Sequence, residues 1–433
     1  MLWLPTKQTR KTIARIKRRR RRRRLARFLL FLFIFFGLKA ASVPSSQALL
    51  VQVDQVTSSY QFDFVNWESL AVASEIGRRW HSPPLPDNQI GRQNLVQSFL
   101  EQEQRIRELE DELDRIYATS PDPGQEAQAL EQKLTEIRSA QAEIIPQVET
   151  ILSRQVETVL KDEGFTIAGQ VFPPVALRFI DPPTSLILSP RDKIENQHSV
   201  ELQPDLDNKV RSEIEATLDQ RGDVSSYVTD VGGLASYPPM IIKYPSLIYL
   251  TEVIAHEWTH NYLLTFPTNI AWGYQTYPRL TTINETTADL VGKEISRQVI
   301  TRFYPDWIDR LPPLDDTGQP AISKPSEFQL AMRRIRQEVD RLLAEGQIEE
   351  AEAFMEAERL KLVEKGYNLR KLNQAYFAFH GSYALSPASI DPIGPQLRQL
   401  RAVSPSLKAF VNRVGWINRY EDYLAWLAEA GIE

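Results

Sequence analysis

The chain has 433 residues, of which 42% are hydrophobic and 25% charged, so it can form two or three domains and bury a core. It contains no cysteine, which excludes disulfides, thiolate metal ligands and a cysteine nucleophile. The formal charge of −5 combines two unlike parts. Residues 1–39 hold fourteen Lys or Arg and no acid, whereas the remainder holds 37 basic and 56 acidic side chains, a charge of −19. An acidic body argues against nucleic acid as a partner, because phosphate binding needs a basic surface.

The first segment, residues 1–50, is typical of an export signal or a membrane anchor. Seven consecutive arginines at 18–24 precede an apolar run at 28–38, and a basic segment followed by such a run is the export-signal pattern. The run is shorter than the ~20 residues that a spanning helix needs. Small residues at 40–48 resemble a cleavage site, and a retained anchor is the alternative. Since the basic side stays in the cytoplasm, the body is predicted to be extracytoplasmic, either secreted or attached to the membrane through this segment.

The next region, residues 51–164, is predicted to form an antiparallel helical hairpin. Its apolar residues recur three and four positions apart, which is the spacing of a helix that packs on a partner. The first stripe consists of Ile106, Leu109, Leu113 and Ile116, and the second of Leu130, Leu134, Ile137, Ile144, Val148 and Ile151. A Ser-Pro-Asp-Pro-Gly turn at 120–124 separates them. We expect this hairpin to be a packing element that carries no catalytic group.

Beyond Gly164 the pattern changes to short strands and then to helices. Strands are predicted at 175–180, 185–188 and 231–242, and helices at 204–221, 328–346 and 347–366. We therefore expect an α+β protein, predominantly helical, with a small sheet ahead of the helix that begins near Ser246. The predicted divisions are 165–310 for a catalytic core and 311–433 for a C-terminal helical subdomain that completes the site.

Two histidines in the sequence His256-Glu257-Trp-Thr-His260 are predicted metal ligands. Positions i and i+4 of a helix lie on one face, so both imidazoles can reach a single ion at ~2.1 Å. Glu257 lies one helical step round, where its carboxylate can take a proton from a metal-activated water without occupying a ligand position.

A catalytic zinc needs a third protein ligand, and Glu285 in Asn284-Glu285-Thr-Thr-Ala-Asp289 is the candidate. Asp289 follows one helical turn later, where it can accept the free ring N–H of a ligand histidine and thereby fix its tautomer. A structural alternative remains open. Thr282 and Glu285 also match a capping box, in which the glutamate would bond to the start of its own helix.

The two segments together resemble the gluzincin metallopeptidases, the thermolysin-like group, whose pattern is H-E-x-x-H followed by a distant N-E-x-x-[AS]-D. The resemblance covers about 35 residues of this chain. It implies a zincin-like catalytic domain, a bound Zn²⁺ ion held by His256, His260 and Glu285, and Glu257 as general base. It also implies that substrate lies along an edge strand before the motif helix, for which residues 231–242 are the candidate by position.

A third segment, residues 373–384, is predicted to supply a donor that stabilises the oxyanion formed during hydrolysis. Read as one helix, it places Asn373, Tyr376, His380 and Tyr383 on a single face. Tyr383 and His380 are the preferred donors and Tyr376 the next choice. The alternative is a helix that packs on the domain through one polar stripe.

The sequence therefore favours a zinc-dependent hydrolase, predicted to be an extracytoplasmic peptidase with a peptide or protein as its substrate. An ester or another amide would suit the same chemistry. The alternative from a different class is a noncatalytic scaffold at the membrane, with a structural or vestigial metal site.

Overall fold

The structure, a computed structural model, describes residues 47–80, 82–119, 124–234, 236–266, 270, 277–321, 324–381, 383–385 and 389–432. Contacts group the chain into two compact units, Met1–Val56 and Thr57–Glu433. The predicted export signal or anchor falls almost wholly in residues 1–46 and lies outside the described residues. Among the residues described, no helix is both long and apolar enough to cross a membrane. The finer boundaries near residues 164 and 310 stay predictions.

Helices dominate the fold, and the strands are short, so the predicted predominantly helical α+β class is confirmed. The helices are α1 (Gln47–Thr57), α2 (Phe64–Trp80), α3 (Gln89–Thr119), α4 (Gly124–Asp162), α5 (Asn208–Asp219), α6 (Leu247–Leu263), α7 (Pro278–Phe303), α8 (Glu327–Ala344), α9 (Ile348–Glu364), α10 (Gln374–His380), α11 (Ile393–Val403), α12 (Leu407–Gly415) and α13 (Tyr420–Ala430), with a 3₁₀ helix at Pro305–Arg310. The strands are β1 (Thr166–Ile167), β2 (Gln170–Val171), β3 (Arg178–Phe179), β4 (Thr184–Pro190), β5 (His198–Leu202), β6 (Val224–Thr229), β7 (Gly233–Leu234) and β8 (Met240–Ile241).

The long helices α3 and α4 form the predicted hairpin. The two apolar stripes meet and bury a small core of their own, made of Ile106, Leu109, Leu130 and Leu134. Gln141 interrupts the second stripe, and its buried amide donates a hydrogen bond of 3.2 Å to Glu103 on the other helix. A polar pair therefore replaces one apolar contact without leaving a buried group unsatisfied.

Three small sheets precede the motif helix. In the largest, β4 pairs antiparallel with β5 on one side and β6 on the other, and α10 packs on β4 and β6. In the second, β8 pairs in parallel with β3 and antiparallel with β7, which leaves β7 at the edge among the described strands. The strand expected at 231–242 is thus two short strands. Pro238 and Pro239 stand between them, and proline cannot donate to a ladder, so pairing resumes only at Met240.

Helices α6 and α7 cross the centre of the main core. Ser246 caps the start of α6, accepting a hydrogen bond of 3.3 Å from the backbone N–H of Tyr249. Contacts pair the start of α6 with the later part of α7: the hydroxyls of Thr251 and Ser296 are 2.7 Å apart. The helices are also close at Gly292, where an added Cβ would lie 2.8 Å from the backbone oxygen of Glu252. The two helices therefore run antiparallel in close contact.

The C-terminal helices contribute to two separate cores. Residues of α11, α12 and α13 join the main core beneath α6 and α7. Helices α8 and α9 pack on each other and bury a second core that includes Ile335, Val339 and Met355. The two amphipathic helices predicted at 328–346 and 347–366 are confirmed as α8 and α9.

Candidate metal centre

His256, His260 and Glu285 converge between α6 and α7 and could hold a metal ion. The Nε2 atoms of the two imidazoles are 3.0 Å apart. Glu285 Oε2 lies 3.3 Å from Nε2 of His256 and 3.7 Å from Nε2 of His260. The i, i+4 spacing on α6 produces the first pair, and the antiparallel crossing of α7 brings the carboxylate to it.

The other nitrogen of each ring contacts an oxygen from α7. His256 Nδ1 lies 3.1 Å from Asp289 Oδ1, and His260 Nδ1 lies 3.2 Å from Asn284 Oδ1. Each of these oxygens accepts the Nδ1 proton, which leaves Nε2 as the nitrogen with a lone pair. In its neutral form, the form that binds a metal ion, each imidazole thus presents a lone pair toward Glu285.

This arrangement fits a metal ion. Two nitrogen lone pairs and an anionic oxygen face one another at 3.0–3.7 Å, and such acceptors repel unless a cation or proton stands between them. A tetrahedral ion bound at ~2.1 Å spaces its ligands roughly 3.4 Å apart, close to the separations found here.

Electrostatics give the two glutamates opposite properties. Burial would raise the pKa of Glu285, but both imidazoles outweigh burial and hold it well below its usual range, so this carboxylate is ionised. Burial raises the pKa of Glu257, which carries no such pair of hydrogen bonds. Burial likewise opposes charge on His256, yet Asp289 and Glu285 hold the pKa of its imidazole well above the ordinary value. One glutamate is therefore suited to bind a cation and the other to take up a proton.

Glu257 is buried on α6, and the edge strand β7 lies against it. An added Cβ at Gly233 would stand 2.5 Å from Glu257 Oε1. Glycine at this position therefore lets the backbone of β7 approach the carboxylate closely.

The capping-box alternative for Glu285 fails. Helix α7 starts at Pro278, with Tyr277 at the N-cap, so Thr282 and Glu285 lie inside the helix. The Thr282 hydroxyl donates back to the carbonyl of Pro278 at 3.2 Å and caps nothing. Glu285 is directed across the helix interface toward the imidazoles.

The third predicted segment is divided between two places, which corrects its reading as one helix. Helix α10 ends at His380, and Gly381 caps it, so Tyr383 lies beyond the helix. Tyr383 reaches the candidate metal centre: its ring is centred 6.5 Å from that of His256, and its hydroxyl hydrogen-bonds to Glu285. The charge of Glu285 and burial hold the pKa of Tyr383 well above its usual value, so the phenol stays protonated.

Tyr376 and His380 remain on α10 and contact a different set of residues. Their rings are centred 4.2 Å apart, and Tyr227 on β6 lies 5.2 Å from Tyr376 and 6.4 Å from His380. Asn373 serves as the N-cap of α10, accepting a hydrogen bond from the backbone N–H of Tyr376 at 2.9 Å. Of the four residues expected on one helical face, only Tyr383 therefore contacts the imidazoles in the part of the chain that the structure describes. The contacts given for Asn373, Tyr376 and His380 are with other residues.

Sequence reasoning gave no role to Asn284, Gly233 or Gly292, all of which shape this site. Asn284 stands beside Glu285 in the second motif, and its place next to a ligand was the available signal. Gly292 is seven residues after Glu285, two helical turns along the same buried face. Gly233 carried no signal, because its contact with Glu257 depends on the tertiary fold.

Comparisons with known protein families, with curated proteins and with solved structures find no match for this chain. The structure therefore shows a His-His-Glu group, built on two antiparallel helices, that could bind a metal ion.

Proposed function

We propose that this chain is a zinc-dependent hydrolase of the gluzincin type, a peptidase that acts outside the cytoplasm. The observation that carries the proposal is that a carboxylate from α7 meets two imidazoles from α6, with their ligand atoms 3.0–3.7 Å apart. A capping or core role would not require these three groups to meet.

Zinc is the ion that this donor set favours. Two imidazole nitrogens and one carboxylate oxygen, with a fourth position open, are a ligand set of catalytic zinc, whereas structural zinc is usually closed by four protein ligands. When bound, the ion supplies a Lewis acid that polarises a carbonyl and lowers the pKa of water. His256, His260 and Glu285 would hold it, and Asp289 and Asn284 would orient the two rings.

Glu257 would act as the general base. Its buried carboxylate lies beside the triad and would take the proton of the attacking water, then deliver it to the leaving amine. Burial raises its pKa toward the operating pH, which improves its efficiency as a base. Tyr383 would donate its phenolic proton in a hydrogen bond to the developing oxyanion, because that phenol stays protonated beside Glu285.

A peptide is the substrate that the surroundings favour over an ester. Strand β7 is an edge strand among the described residues, and Gly233 brings its backbone against Glu257. An extended peptide can add to such an edge through main-chain hydrogen bonds, which an ester substrate without amides cannot form. The N-terminal segment would place this activity outside the cytoplasm, with the chain secreted or attached to the membrane.

The test uses the purified full chain and three measurements: zinc content, chelator-sensitive cleavage of a peptide library, and the same two on Glu257→Gln. We expect near-stoichiometric zinc in both proteins and cleavage slower by about 10²–10⁴-fold in the variant. Glu131→Gln on the exposed surface of the hairpin is the matched control and should behave like the wild type.

Two outcomes would reject the proposal. Full activity of Glu257→Gln would remove the general base from the mechanism. Bound zinc with no turnover on broad peptide libraries would favour the alternative, a membrane-associated scaffold with a structural or vestigial metal.

A further inference from the structure

A cavity of about 790 Å³ opens beside α10, and none of His256, His260 and Glu285 is among its lining residues. Four aromatic rings line it, those of Tyr227, Phe328, Tyr376 and His380. The rest of the lining consists of Leu369 and of the polar residues Asn208, Lys209, Ser212, Thr229, Asn368 and Arg370. The described lining thus includes two cations and no carboxylate.

The two cations differ in how strongly they are already paired. Arg370 makes two hydrogen bonds of 2.7 Å to the carboxylate of Glu215, so its charge is largely compensated. Lys209 has only a 4.0 Å contact with Glu213, and both of these side chains are highly exposed. Lys209 is therefore able to exchange its weak partner for an anion on a ligand.

Tyr376 adds a donor to the same cavity. The residue is 7% exposed, and its hydroxyl has no hydrogen-bond partner among the described residues. Burial raises the pKa of this phenol, so the phenol remains protonated. A hydrogen bond to an acceptor on a ligand would therefore stabilise it. A carboxylate would satisfy both the phenol and the ammonium group.

Two routes along the molecule connect the cavity to the metal triad. Ring centroids step from His380 to Phe379 (5.1 Å), to Tyr383 (6.1 Å) and to His256 (6.5 Å). The backbone offers a second route, because Thr229 lines the cavity and Gly233, four residues on, contacts Glu257. The ring steps keep His380 within about 18 Å of His256. An extended peptide advances about 3.3 Å per residue, so about six residues span that separation.

We infer that this cavity is a subsite for a carboxylate of the peptide substrate, bound by Lys209 and the Tyr376 hydroxyl within about six residues of the cleaved bond. The inference rests on the proposed peptidase function for its connection to cleavage. The carboxylate comes either from the C-terminus of the peptide or from an Asp or Glu side chain. In both cases the acidic body of the protein would discourage anionic peptides, and the subsite would select those that can reach Lys209.

Binding is measured by fluorescence anisotropy with the full-chain Glu257→Gln variant, so that no cleavage occurs. The probes are a labelled alanine-based decapeptide with a free C-terminal carboxylate, its amide, and a series of amides in which one Glu moves along the chain. We expect the free acid, or one Glu position, to bind about two- to fivefold more tightly than the plain amide. That preference should shrink in Lys209→Gln and in Tyr376→Phe, and in 0.5 M NaCl. Lys133→Gln, an exposed lysine on the hairpin, is the matched control and should keep it.

The outcomes separate this inference from the proposed function. Equal binding of acid and amide, no binding of either, or a preference that survives Lys209→Gln would overturn the subsite even if the wild type cleaves peptides. A Lys209-dependent carboxylate preference in a protein that cleaves no peptide would keep the subsite and reject the peptidase. A free-acid preference identifies the C-terminus as the source, and a preferred Glu position identifies a side chain.

Discussion

His256 Nδ1 lies 3.1 Å from Asp289 Oδ1, so a side chain of α7 holds the imidazole that α6 carries. His260 is held in the same way by Asn284, at 3.2 Å. One partner is a carboxylate and the other an amide. The charged partner raises the pKa of His256, and a more basic imidazole binds a cation more strongly.

Asp289→Asn should therefore weaken zinc binding while the fold is kept. The amide can still accept the Nδ1 proton, but it removes the negative charge that supports the ring, and such partners typically contribute 10–100-fold in affinity. Competition with a chromophoric chelator measures the change on the full chain. Asp309→Asn, at an exposed position of the 3₁₀ helix, is the control. Equal zinc affinity in the wild type and both variants would mean that Asp289 does not support the ligand.

The triad could be predicted from the sequence because helix geometry alone fixes the relation of His256 to His260. The position of Glu285 needed one further assumption, that a later helix crosses the first, and the resemblance to a known motif supplied it. The third segment could not be predicted in the same way. Its helix ends at His380, so Tyr383 lies beyond the helix and not on its polar face.

Tyr383→Phe tests whether the Tyr383 hydroxyl is the donor that stabilises the oxyanion at the candidate metal centre. Removing the hydroxyl should lower kcat by about 10²-fold, because such a donor acts on charge that develops in the transition state. KM and bound zinc should change little. Steady-state kinetics and metal analysis measure the three quantities, with Tyr277→Phe, an exposed phenol 57% accessible, as the control. A loss of zinc without a loss of kcat per bound ion would assign Tyr383 to holding Glu285.

Gly292→Ala should disturb the contact between the two motif helices. The new methyl group would stand 2.8 Å from the backbone oxygen of Glu252, and a helix backbone cannot turn aside as a side chain can. We expect a loss of about 1–3 kcal/mol in stability and weaker zinc binding, since separating the helices moves Glu285 from the imidazoles. Thermal unfolding with and without zinc measures both effects.

Gly77→Ala is the matched control for that change. Nothing lies within 4 Å of the added methyl group, and alanine favours the interior of a helix such as α2. It should leave stability unchanged or raise it slightly. A destabilisation of similar size in both variants would show that Gly292 has no special role in the crossing.

The strands were less predictable than the helices. The hairpin α3–α4 repeats its apolar spacing over many turns, so the pattern has one strong interpretation. The short strands β3, β7 and β8 carry two residues each, and neighbours distant in the chain decide their pairing. Short apolar runs near prolines therefore indicated strand character but not strand limits.

Glu201 gives a pH-dependent prediction away from the metal centre. Burial raises the pKa of this β5 carboxyl to about 7, and its main partner is Ser185 at 3.4 Å. The folded chain thus holds a proton that the unfolded chain, with a pKa of about 4.3, has already released. Its contribution to stability is full below the unfolded value and is lost as pH rises from about 4.5 through about 7.

Glu201→Gln removes this titration. Between about pH 4.5 and pH 8 the stability of the variant relative to the wild type should rise by up to about 3 kcal/mol, and it should level off above that range. Melting temperatures of both proteins across the pH range measure the difference. Glu213→Gln, whose carboxylate is 61% exposed, should show no such trend. If the difference in melting temperature between the wild type and the variant does not change with pH, water reaches the Glu201 carboxyl and its pKa in the folded chain is not raised.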